Sequence, residues 1–276
     1  MQPAEPGQAP AAEARPTAAS LPIHAILMQI YVVIPARYQS TRLPGKPLLK
    51  ETGKYLVQHV YERAAAATKI SRVIVATDDR RIFEAVQAFG GNAAMTSAEH
   101  ASGTDRIAEV ARAFGDDADA YINVQGDEPE IEPAMIDAAA ELLADKRADI
   151  STLAVRSSDR ERFLNPNTVK VVLDGEGFAL YFSRSPLPGA KKLGERITAP
   201  DFSFLAHVGL YGYRRDFLLT FAEWPRSPLE EIESLEQLRA LEHGCRIKVG
   251  IAQHEPAGVD TPEDYRRFVE RAKKRQ

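Results

Sequence analysis

From Ile30 onward, short apolar runs alternate along the chain with segments whose apolar residues recur at helical spacing. The apolar runs are rich in β-branched residues, which is typical of buried strands, and the helical spacing indicates amphipathic helices between them. This alternation predicts a doubly wound α/β fold with a mostly parallel sheet, right-handed crossovers and helices on both faces. The predicted strands are residues 31–36, 72–79, 120–129 and 149–155, and the predicted helices are residues 55–67, 81–89, 103–114 and 133–143.

The alternation changes after about Val155. Residues 169–188 predict a β-hairpin, because two apolar runs flank a turn that contains two glycines. We therefore predict one core domain, residues 30–276, with an inserted β-rich subdomain at residues 156–215. The other elements predicted in this half are strands at residues 207–215 and 247–253 and helices at residues 227–243 and 261–274.

The start of the chain has a different composition. Residues 1–20 are rich in Ala, Pro and Glu and contain no aromatic side chain. Such a segment cannot bury enough apolar surface to order itself, so we expect residues 1–29 to form a flexible N-terminal extension. The segment lacks the basic start and apolar stretch of a secretory signal. The apolar residues 21–34 are too few to span a bilayer, and they continue into the first predicted strand.

The net charge of −4 and the pI near 5.9 provide no bulk attraction to nucleic acid or to an anionic membrane. We therefore expect no nucleic-acid partner and no membrane insertion, and any anionic ligand requires a local cluster of cations. The single cysteine, Cys245, cannot form an internal disulfide. This is typical of a protein in the reducing cytoplasm, which is the predicted location.

The densest cluster of cations follows the first predicted strand, where residues 35–47 read PARYQSTRLPGKP. Arg37, Arg42 and Lys46 lie there with the hydroxyl of Ser40. Guanidinium forks, an ammonium group and backbone amides near a helix start are suited to binding a triphosphate. The segment is neither a Walker A loop nor a dinucleotide-binding glycine motif. A solvated basic loop is the alternative, but a loop after the first strand of an α/β sheet favours phosphate binding.

Two aspartates follow apolar segments at positions where a strand is expected to end. Asp127 lies in the polar end of the strand predicted for residues 120–129, after its apolar part, and Asp260 precedes the last predicted helix. Carboxylates at the carboxyl edge of a sheet can hold Mg²⁺, which needs one or two carboxylates together with phosphate oxygens. The alternatives are a turn-forming role for Asp127 and a helix N-cap for Asp260. Asp78 and Asp79 fit a simple helix start and are left out of the predicted metal site.

Two smaller clusters carry weaker signals. Residues 102–106, SGTDR, open a predicted helix and could contact a base or ribose, but an ordinary helix cap explains them nearly as well. Arg184, His207 and the pair Glu236 and Gln237 lie in the second half of the chain and are individually unremarkable. A lone histidine such as His207 is more often a hydrogen-bonded structural residue than a catalyst.

Nine segments of the chain resemble, in sequence and in order, those of the 3-deoxy-manno-octulosonate cytidylyltransferase family, also called the CMP-Kdo synthetases. The resemblance extends from about residue 31 to residue 264. The related CMP-sialate synthetases share the general loop but not the sequence STRLPGKPL. The segments are IPARYQSTRLPGKPL, ATDD, SGTDR, NVQGDEP, NPNTVKVV, ALYFSRSPLP, HVGLYGYR, LEQLR and GVDTPED.

The resemblance implies a fold of the nucleotidyltransferase type, a homodimer and a magnesium-dependent reaction. CTP and 3-deoxy-manno-octulosonate (Kdo) would give CMP-Kdo and diphosphate for lipopolysaccharide biosynthesis, by in-line attack of the sugar hydroxyl on the α-phosphate. Sialic acid or an amino-substituted Kdo stays open as the acceptor. An inactive nucleotide-binding regulator on the same fold is a further alternative, against which the intact Lys46, Asp127 and Asp260 argue.

The resemblance also implies roles for individual residues, and it makes residues 156–215 the sugar-side and dimer-contact subdomain. Residues 189–204 depart from the family pattern, because they are basic and the aromatic residue expected next to Leu187-Pro188 is missing. We expect this departure to alter a lid or a subunit contact, and it includes no catalytic position. The implied catalytic residues are Arg37, Lys46, Asp127 and Asp260, the two aspartates being the Mg²⁺ ligands. The implied nucleotide contacts are Ala36, Arg37, Ser40, Arg42, Lys46, Ser102, Gly103, Thr104, Arg106 and Gln125. The implied sugar contacts are Gln125, Arg184, His207, Tyr211, Glu236 and Gln237.

We predict that deletion of residues 1–27 leaves the enzymatic activity and the melting temperature essentially unchanged. The segment has no apolar periodicity with which to dock on the core. Turnover and thermal unfolding, measured side by side on the full-length and truncated proteins, test this expectation. A substantial loss of folded, active protein on truncation would show that the segment stabilises the structure.

Overall fold

The structure, a computed structural model, describes residues 28–40, 42–189 and 191–274. The predicted N-terminal extension, residues 1–29, lies outside the described residues except for its last two positions. No helix within these three ranges is both long enough and apolar enough to cross a membrane.

The described residues contain a nine-stranded sheet. In chain order, the strands are β1 (Ile30–Ala36), β2 (Arg72–Thr77), β3 (Ala93–Met95), β4 (Ala120–Asn123), β5 (Ile150–Ser157), β6 (Lys170–Leu173), β7 (Ala179–Ser183), β8 (Phe204–Arg214) and β9 (Ile247–Ala252). The main path through the sheet is β3-β2-β1-β4-β8-β5-β9. Along this path only β8 runs antiparallel to its neighbours, so the other six strands share one direction. The prediction of a mostly parallel α/β sheet is confirmed.

Helices cover both faces of this sheet. Side chains alternate between the two faces along each strand, so a strand with apolar residues throughout gives each face an apolar surface to be covered. In β1, Val32 and Ile34 belong to one buried core, while Tyr31 and Val33 belong to a second core on the other face. The helices in the described ranges are α1 (Leu56–Ala65), α2 (Arg80–Ala88), α3 (Gly103–Phe114), α4 (Pro133–Leu142), α5 (Arg160–Leu164), α6 (Leu193–Thr198), α7 (Arg215–Phe221), α8 (Pro228–Glu233), α9 (Gln237–Glu242) and α10 (Pro262–Lys274).

The predicted hairpin is present as β6 and β7. The two strands are antiparallel, and the turn between them is closed by Asp174, whose carboxylate accepts hydrogen bonds from the backbone of Glu176 at 2.9 Å and Phe178 at 2.8 Å. Strand β6 also pairs with the first half of β8. The hairpin is therefore a continuation of the main sheet. A role for residues 156–215 in sugar binding and dimer contact stays a prediction.

The prediction of a single helix for residues 227–243 is wrong, because the structure contains two short helices there, α8 and α9. Ser234 between them has a left-handed backbone conformation with φ of 51°. The guanidinium of Arg184 donates hydrogen bonds to the carbonyl oxygens of Glu233 at 2.6 Å and Ser234 at 3.2 Å. These carbonyls are thus satisfied from outside the helix, which allows α8 to end without a glycine.

Lys170 is a buried polar residue within the hairpin. Its side chain is fully buried, and its ammonium donates to the carbonyl oxygens of Asn165 at 3.0 Å, Thr168 at 2.8 Å and Arg184 at 2.6 Å. Burial lowers the pKa of Lys170 from its ordinary value. The three bonds fasten the loop before β6 to the segment that follows β7.

We predict that Lys170→Met lowers the free energy of unfolding by about 3 kcal/mol, because three part-buried backbone carbonyls lose a charged donor while the side-chain volume is kept. Chemical denaturation of the two proteins measures the difference. Lys146→Met is the matched control at an exposed position, where we expect a change within about 0.5 kcal/mol. Equal effects of the two substitutions would contradict the structural role of Lys170.

Candidate active site

A cavity of about 440 Å³ lies at the carboxyl edge of the sheet, beyond the ends of β1 and β4. This is the edge at which open α/β sheets bind ligands. We call it the edge cavity. The described residues that line it are Pro35, Ala36, Arg37, Gln39, Ser40, Arg42, Lys46, Pro47, Gly103, Gln125, Gly126, Asp127 and Asp260.

The basic loop reaches the edge cavity through a compact turn. The backbone N–H of Gly45 donates to the carbonyl of Tyr38 at 3.0 Å, and that of Leu43 donates to Ser40 Oγ at 3.4 Å. Gly45 has φ of 67°, a left-handed conformation that favours glycine, and the Tyr38 ring packs against it. The closed turn leads directly into Lys46, so the ammonium is directed back toward the sheet.

Lys46 connects the two predicted metal-binding aspartates. Its Nζ lies 2.8 Å from Oδ2 of Asp127 and 3.3 Å from Oδ1 of Asp260, and Arg42 also contacts the latter oxygen at 3.2 Å. The backbone N–H of Val259 donates to the carbonyl of Asp127 at 2.8 Å. This bond joins the loop after β4 to the loop before α10. Two carboxylates that are distant in sequence therefore converge on one ammonium group.

The structure decides the alternative assignment for Asp260. The first turn of α10 is closed by Thr261 and Asp264, since Asp264 N–H donates to Thr261 Oγ1 at 3.2 Å and Thr261 N–H donates to Asp264 Oδ2 at 3.0 Å. Thr261 is thus the N-cap, and the Asp260 carboxylate is directed to the cations of the basic loop. Asp79 does cap a helix, because it accepts from the backbone N–H of Arg81 at 2.9 Å.

The donor set at the edge cavity fits Mg²⁺. Both aspartates already share a cation, the Lys46 ammonium, and both remain partly exposed, with side-chain exposures of 32% for Asp127 and 47% for Asp260. In the described part of the chain no three His, Cys, Asp or Glu side chains form a metal-binding cluster. A magnesium ion here would therefore have two protein carboxylates and complete its shell with water and phosphate oxygens, as Mg²⁺ commonly does.

Arg37 joins the basic loop to the loop before α3. Its guanidinium donates to the carbonyl of His100 at 2.5 Å and approaches that of Ser102 at 3.5 Å. Ser102 is a helix cap: its hydroxyl accepts from Asp105 N–H at 3.1 Å, and the Asp105 carboxylate accepts from Ser102 N–H at 3.0 Å. The first turn of α3 is thereby fixed beside the edge cavity, and Gly103 lines it.

The side chain of Arg106 lies outside the edge cavity, and its contact with a nucleotide stays a prediction. Its side chain is fully buried, donates to Thr96 Oγ1 and forms an ion pair of 2.9 Å with Asp78. Helical spacing explains this placement, because Arg106 lies one turn after the cap and faces the ends of β2 and β3. Thr104 is also buried, and its hydroxyl donates to the Glu236 carboxylate at 2.5 Å. Neither side chain lines the edge cavity.

Three predicted sugar contacts lie near one another: His207 and Tyr211 in β8, and Gln125 in the loop after the neighbouring strand β4. The amide of Gln125, which lines the edge cavity, is 3.5 Å from the carbonyl of Gly209 in β8. His207 and Tyr211 lie on either side of that glycine, with their ring centres 5.3 Å apart. Burial lowers the pKa of His207 to about 3, so the imidazole is neutral at physiological pH.

The other predicted sugar contacts are placed differently. Arg184 donates to backbone carbonyls and lines no part of the edge cavity. Glu236 borders a second cavity of about 620 Å³ together with Ser102, and its pKa is raised by burial. Gln237 is buried, and its Nε2 has no hydrogen-bond partner among the described residues.

Sequence reasoning missed Gln39 and Gly126 as lining residues. A Cβ at Gly126 would lie 2.6 Å from the carbonyl oxygen of Pro35, so the loop after β4 passes against β1 as only glycine allows. The signal for this was the glycine directly before Asp127.

Glu128, next to Asp127, carried no signal in the sequence. Burial raises its pKa to about 8, with smaller contributions from Asp127 and Glu255. Glu128 is thus largely protonated at neutral pH.

Comparison with known proteins extends the similarity over almost the whole described chain. Residues 31–247 match the family model described as Cytidylyltransferase. The chain is 56% identical over 252 residues to the 3-deoxy-manno-octulosonate cytidylyltransferase of Geobacter metallireducens, covering 88% of this chain and 98% of that protein. It is 54% identical over 252 residues to the protein of the same name from Geobacter sulfurreducens, covering 89% of this chain and all of that protein.

A solved structure gives the same result. The fold matches that of a CMP:2-keto-3-deoxy-manno-octonic acid synthetase complexed with CTP, with a TM-score of 0.82 and 43% sequence identity. The match covers 90% of this chain and 100% of that one. Sequence identity above one half to full-length relatives and a common fold lead to one conclusion: this chain belongs to the 3-deoxy-manno-octulosonate cytidylyltransferase family.

Proposed function

We propose that this protein is a nucleotidyltransferase that transfers CMP from CTP to Kdo and releases diphosphate. The observation that carries the proposal is the edge cavity, where Arg37, Arg42 and Lys46 meet Asp127 and Asp260. Cations that bind phosphate oxygens and carboxylates that bind Mg²⁺ are thus present together, as nucleotidyl transfer requires. The relatives named 3-deoxy-manno-octulosonate cytidylyltransferase and the related structure complexed with CTP support this choice of substrates.

Direct attack by the sugar is the mechanism we favour. The described residues that line the edge cavity include neither a cysteine nor a histidine that could serve as a covalent nucleophile. The anomeric hydroxyl of Kdo would attack the α-phosphorus in line, and diphosphate would leave on the opposite side. The protein would contribute by positioning the substrates and by neutralising the charge that develops on the phosphate oxygens.

Asp127 and Asp260 would hold Mg²⁺, which supplies charge neutralisation on the triphosphate and lowers the pKa of the attacking hydroxyl. Lys46 now contacts both carboxylates, and Arg42 supplies the second positive charge at Asp260. When substrate binds, its ammonium would turn from these oxygens to phosphate oxygens, and Arg42 would do the same. The exchange replaces one set of charge pairs by another, so none of these groups is left without a counter-charge.

The acid sugar would bind on the β8 side, against Gln125, His207 and Tyr211. Arg184 is our candidate partner for the Kdo carboxylate, although three backbone carbonyls now accept hydrogen bonds from its guanidinium. Carboxylate binding would therefore require at least one of these bonds to exchange. A bidentate contact to a carboxylate is stronger than bonds to neutral carbonyls, which favours such an exchange.

We also infer a cytoplasmic homodimer. Within the described residues, β7 pairs only with β6, and Leu180 on this outer strand is 62% exposed. An open strand edge with an exposed apolar residue is suited to contact with a second copy of the chain.

Measurement of diphosphate release with CTP and a series of acid sugars tests the function as a whole. Release with sialic acid and none with Kdo would overturn the assigned acceptor.

We predict that Asp127→Asn reduces turnover by more than about a hundredfold while the fold stays intact, because the neutral amide is a poor Mg²⁺ ligand. Diphosphate release at saturating Mg²⁺ and the circular dichroism spectrum measure the two effects. Asp116→Asn, at a position with a 95% exposed side chain, is the matched control and should behave as wild type. Near-normal turnover of Asp127→Asn would remove this residue from the mechanism.

We predict that CTP is strongly preferred over ATP and GTP and that Lys46→Ala weakens all triphosphates similarly. Phosphate oxygens are common to every nucleotide, so the loss removes uniform binding of about 1.5–3 kcal/mol, the scale of a charged hydrogen bond. The base is distinguished by hydrogen bonds to its edge, for which residues 102–106 are our candidate neighbourhood.

A competition assay with all four triphosphates on wild type, Lys46→Ala and the control Lys50→Ala provides the measurement. Lys50 is exposed, follows the same loop and does not line the edge cavity. A changed order of nucleotide preference in Lys46→Ala, in place of a uniform loss, would mean that Lys46 contacts the base.

A further inference from the structure

A β-bulge brings the middle of β8 to the edge cavity. In the pairing of β5 with β8, Thr152 faces Tyr211 and Leu153 faces Val208, so Gly209 and Leu210 have no partner in β5. Bulges of this kind redirect side chains next to functional sites. Here the carbonyl of Gly209 is directed to the amide of Gln125, which lines the edge cavity.

The hydroxyl of Thr152 lies inside this bulge and has three polar neighbours. Its Oγ1 is 2.8 Å from the carbonyl of Leu210, 3.2 Å from that of Val208 and 2.9 Å from Nε2 of His207. Backbone carbonyls can only accept, and two of them face Oγ1, so directing the single hydroxyl hydrogen to a carbonyl avoids placing oxygen lone pairs against both. Oγ1 therefore accepts a hydrogen bond from Nε2–H of His207.

This pattern decides which nitrogen of His207 carries the proton. Burial keeps the imidazole neutral, so a proton on Nε2 leaves Nδ1 as a bare acceptor. In residues 28–40, 42–189 and 191–274 no group donates a hydrogen bond to Nδ1. The ring is held between Phe182 and Tyr211, with centre distances of 5.0 and 5.3 Å, and His207 as a whole residue is half-buried.

We propose that Thr152 is a positioning residue that fixes the Nε2-protonated tautomer of His207, so that Nδ1 accepts a hydrogen bond from a hydroxyl group of the acid sugar. This inference rests on the proposed function for the identity of the sugar. A bare ring nitrogen cannot bind a carboxylate, because both groups are acceptors. His207 thus recognises a hydroxyl, and the sugar carboxylate needs a cation elsewhere in the site.

The tautomer is measured directly by ¹⁵N NMR of the protein labelled at histidine, without substrate. The chain has six histidines, and the signals of His207 are identified by their loss in His207→Gln. We expect a protonated Nε2 and an unprotonated Nδ1 in wild type and in Thr152→Ser, which keeps the hydroxyl. In Thr152→Val we expect a mixture of the two tautomers. A wild-type His207 protonated on Nδ1 would overturn the proposal.

Steady-state kinetics test the consequence for substrate binding. Thr152→Val should raise the KM for Kdo about tenfold, the effect of one misplaced hydrogen bond, with the KM for CTP within about twofold of wild type. Thr152→Ser should restore the wild-type KM for Kdo. Equal increases in both KM values, or no rescue by serine, would indicate a merely structural role and overturn the proposal.

The two measurements separate this inference from the proposed function. If wild type releases no diphosphate with Kdo, the proposed acceptor and the sugar contact both fail, while the NMR result still tests the role of Thr152 by itself. If wild type uses Kdo but His207 is protonated on Nδ1, only the positioning role of Thr152 fails.

Discussion

The contact of Lys46 with two aspartates is the constraint on which the candidate active site depends. Asp127 and Asp260 lie 81 and 214 positions away from Lys46 along the chain, yet both reach its ammonium. Two carboxylates so close together repel each other unless a cation lies between them. The side chain of Lys46 is only 12% exposed, so solvent screens this attraction weakly. The charged groups that we propose for Mg²⁺ and triphosphate binding are thus already assembled and paired with one another.

The reversed strand β8 connects this cluster to the residues that we propose for sugar binding. Because β8 runs against its neighbours, its first residues lie at the carboxyl edge of β5, where Ser157 pairs with Phe204. His207 therefore comes near the edge cavity, although it belongs to the second half of the chain. The bulge opposite Thr152 completes the connection, since it directs a carbonyl to Gln125 and fixes the His207 ring. One strand thus links the residues that we propose for the nucleotide with those that we propose for the sugar.

Most of the fold and much of the site could be predicted from local sequence. Apolar runs and helical spacing predicted the parallel strands, because those strands are buried on both faces. The basic loop and Asp127 were predicted for a similar reason: each directly follows an apolar strand, so its place at the sheet edge is fixed by local order. The short strand β3 was missed, because three residues are too few for a periodic pattern.

By itself, the sequence determined the family, the alternation of elements and the chemical character of the loop at residues 37–46. Only the tertiary structure decided how each polar side chain is used. Arg106 was assigned to the nucleotide and is buried against Asp78, whereas Asp260 was ambiguous and meets Lys46. A charge pattern in sequence does not specify a partner, because partners 28 or 214 positions away are chosen by packing of the sheet. The tautomer of His207 depends likewise on Thr152, a contact that exists only once β5 and β8 are paired.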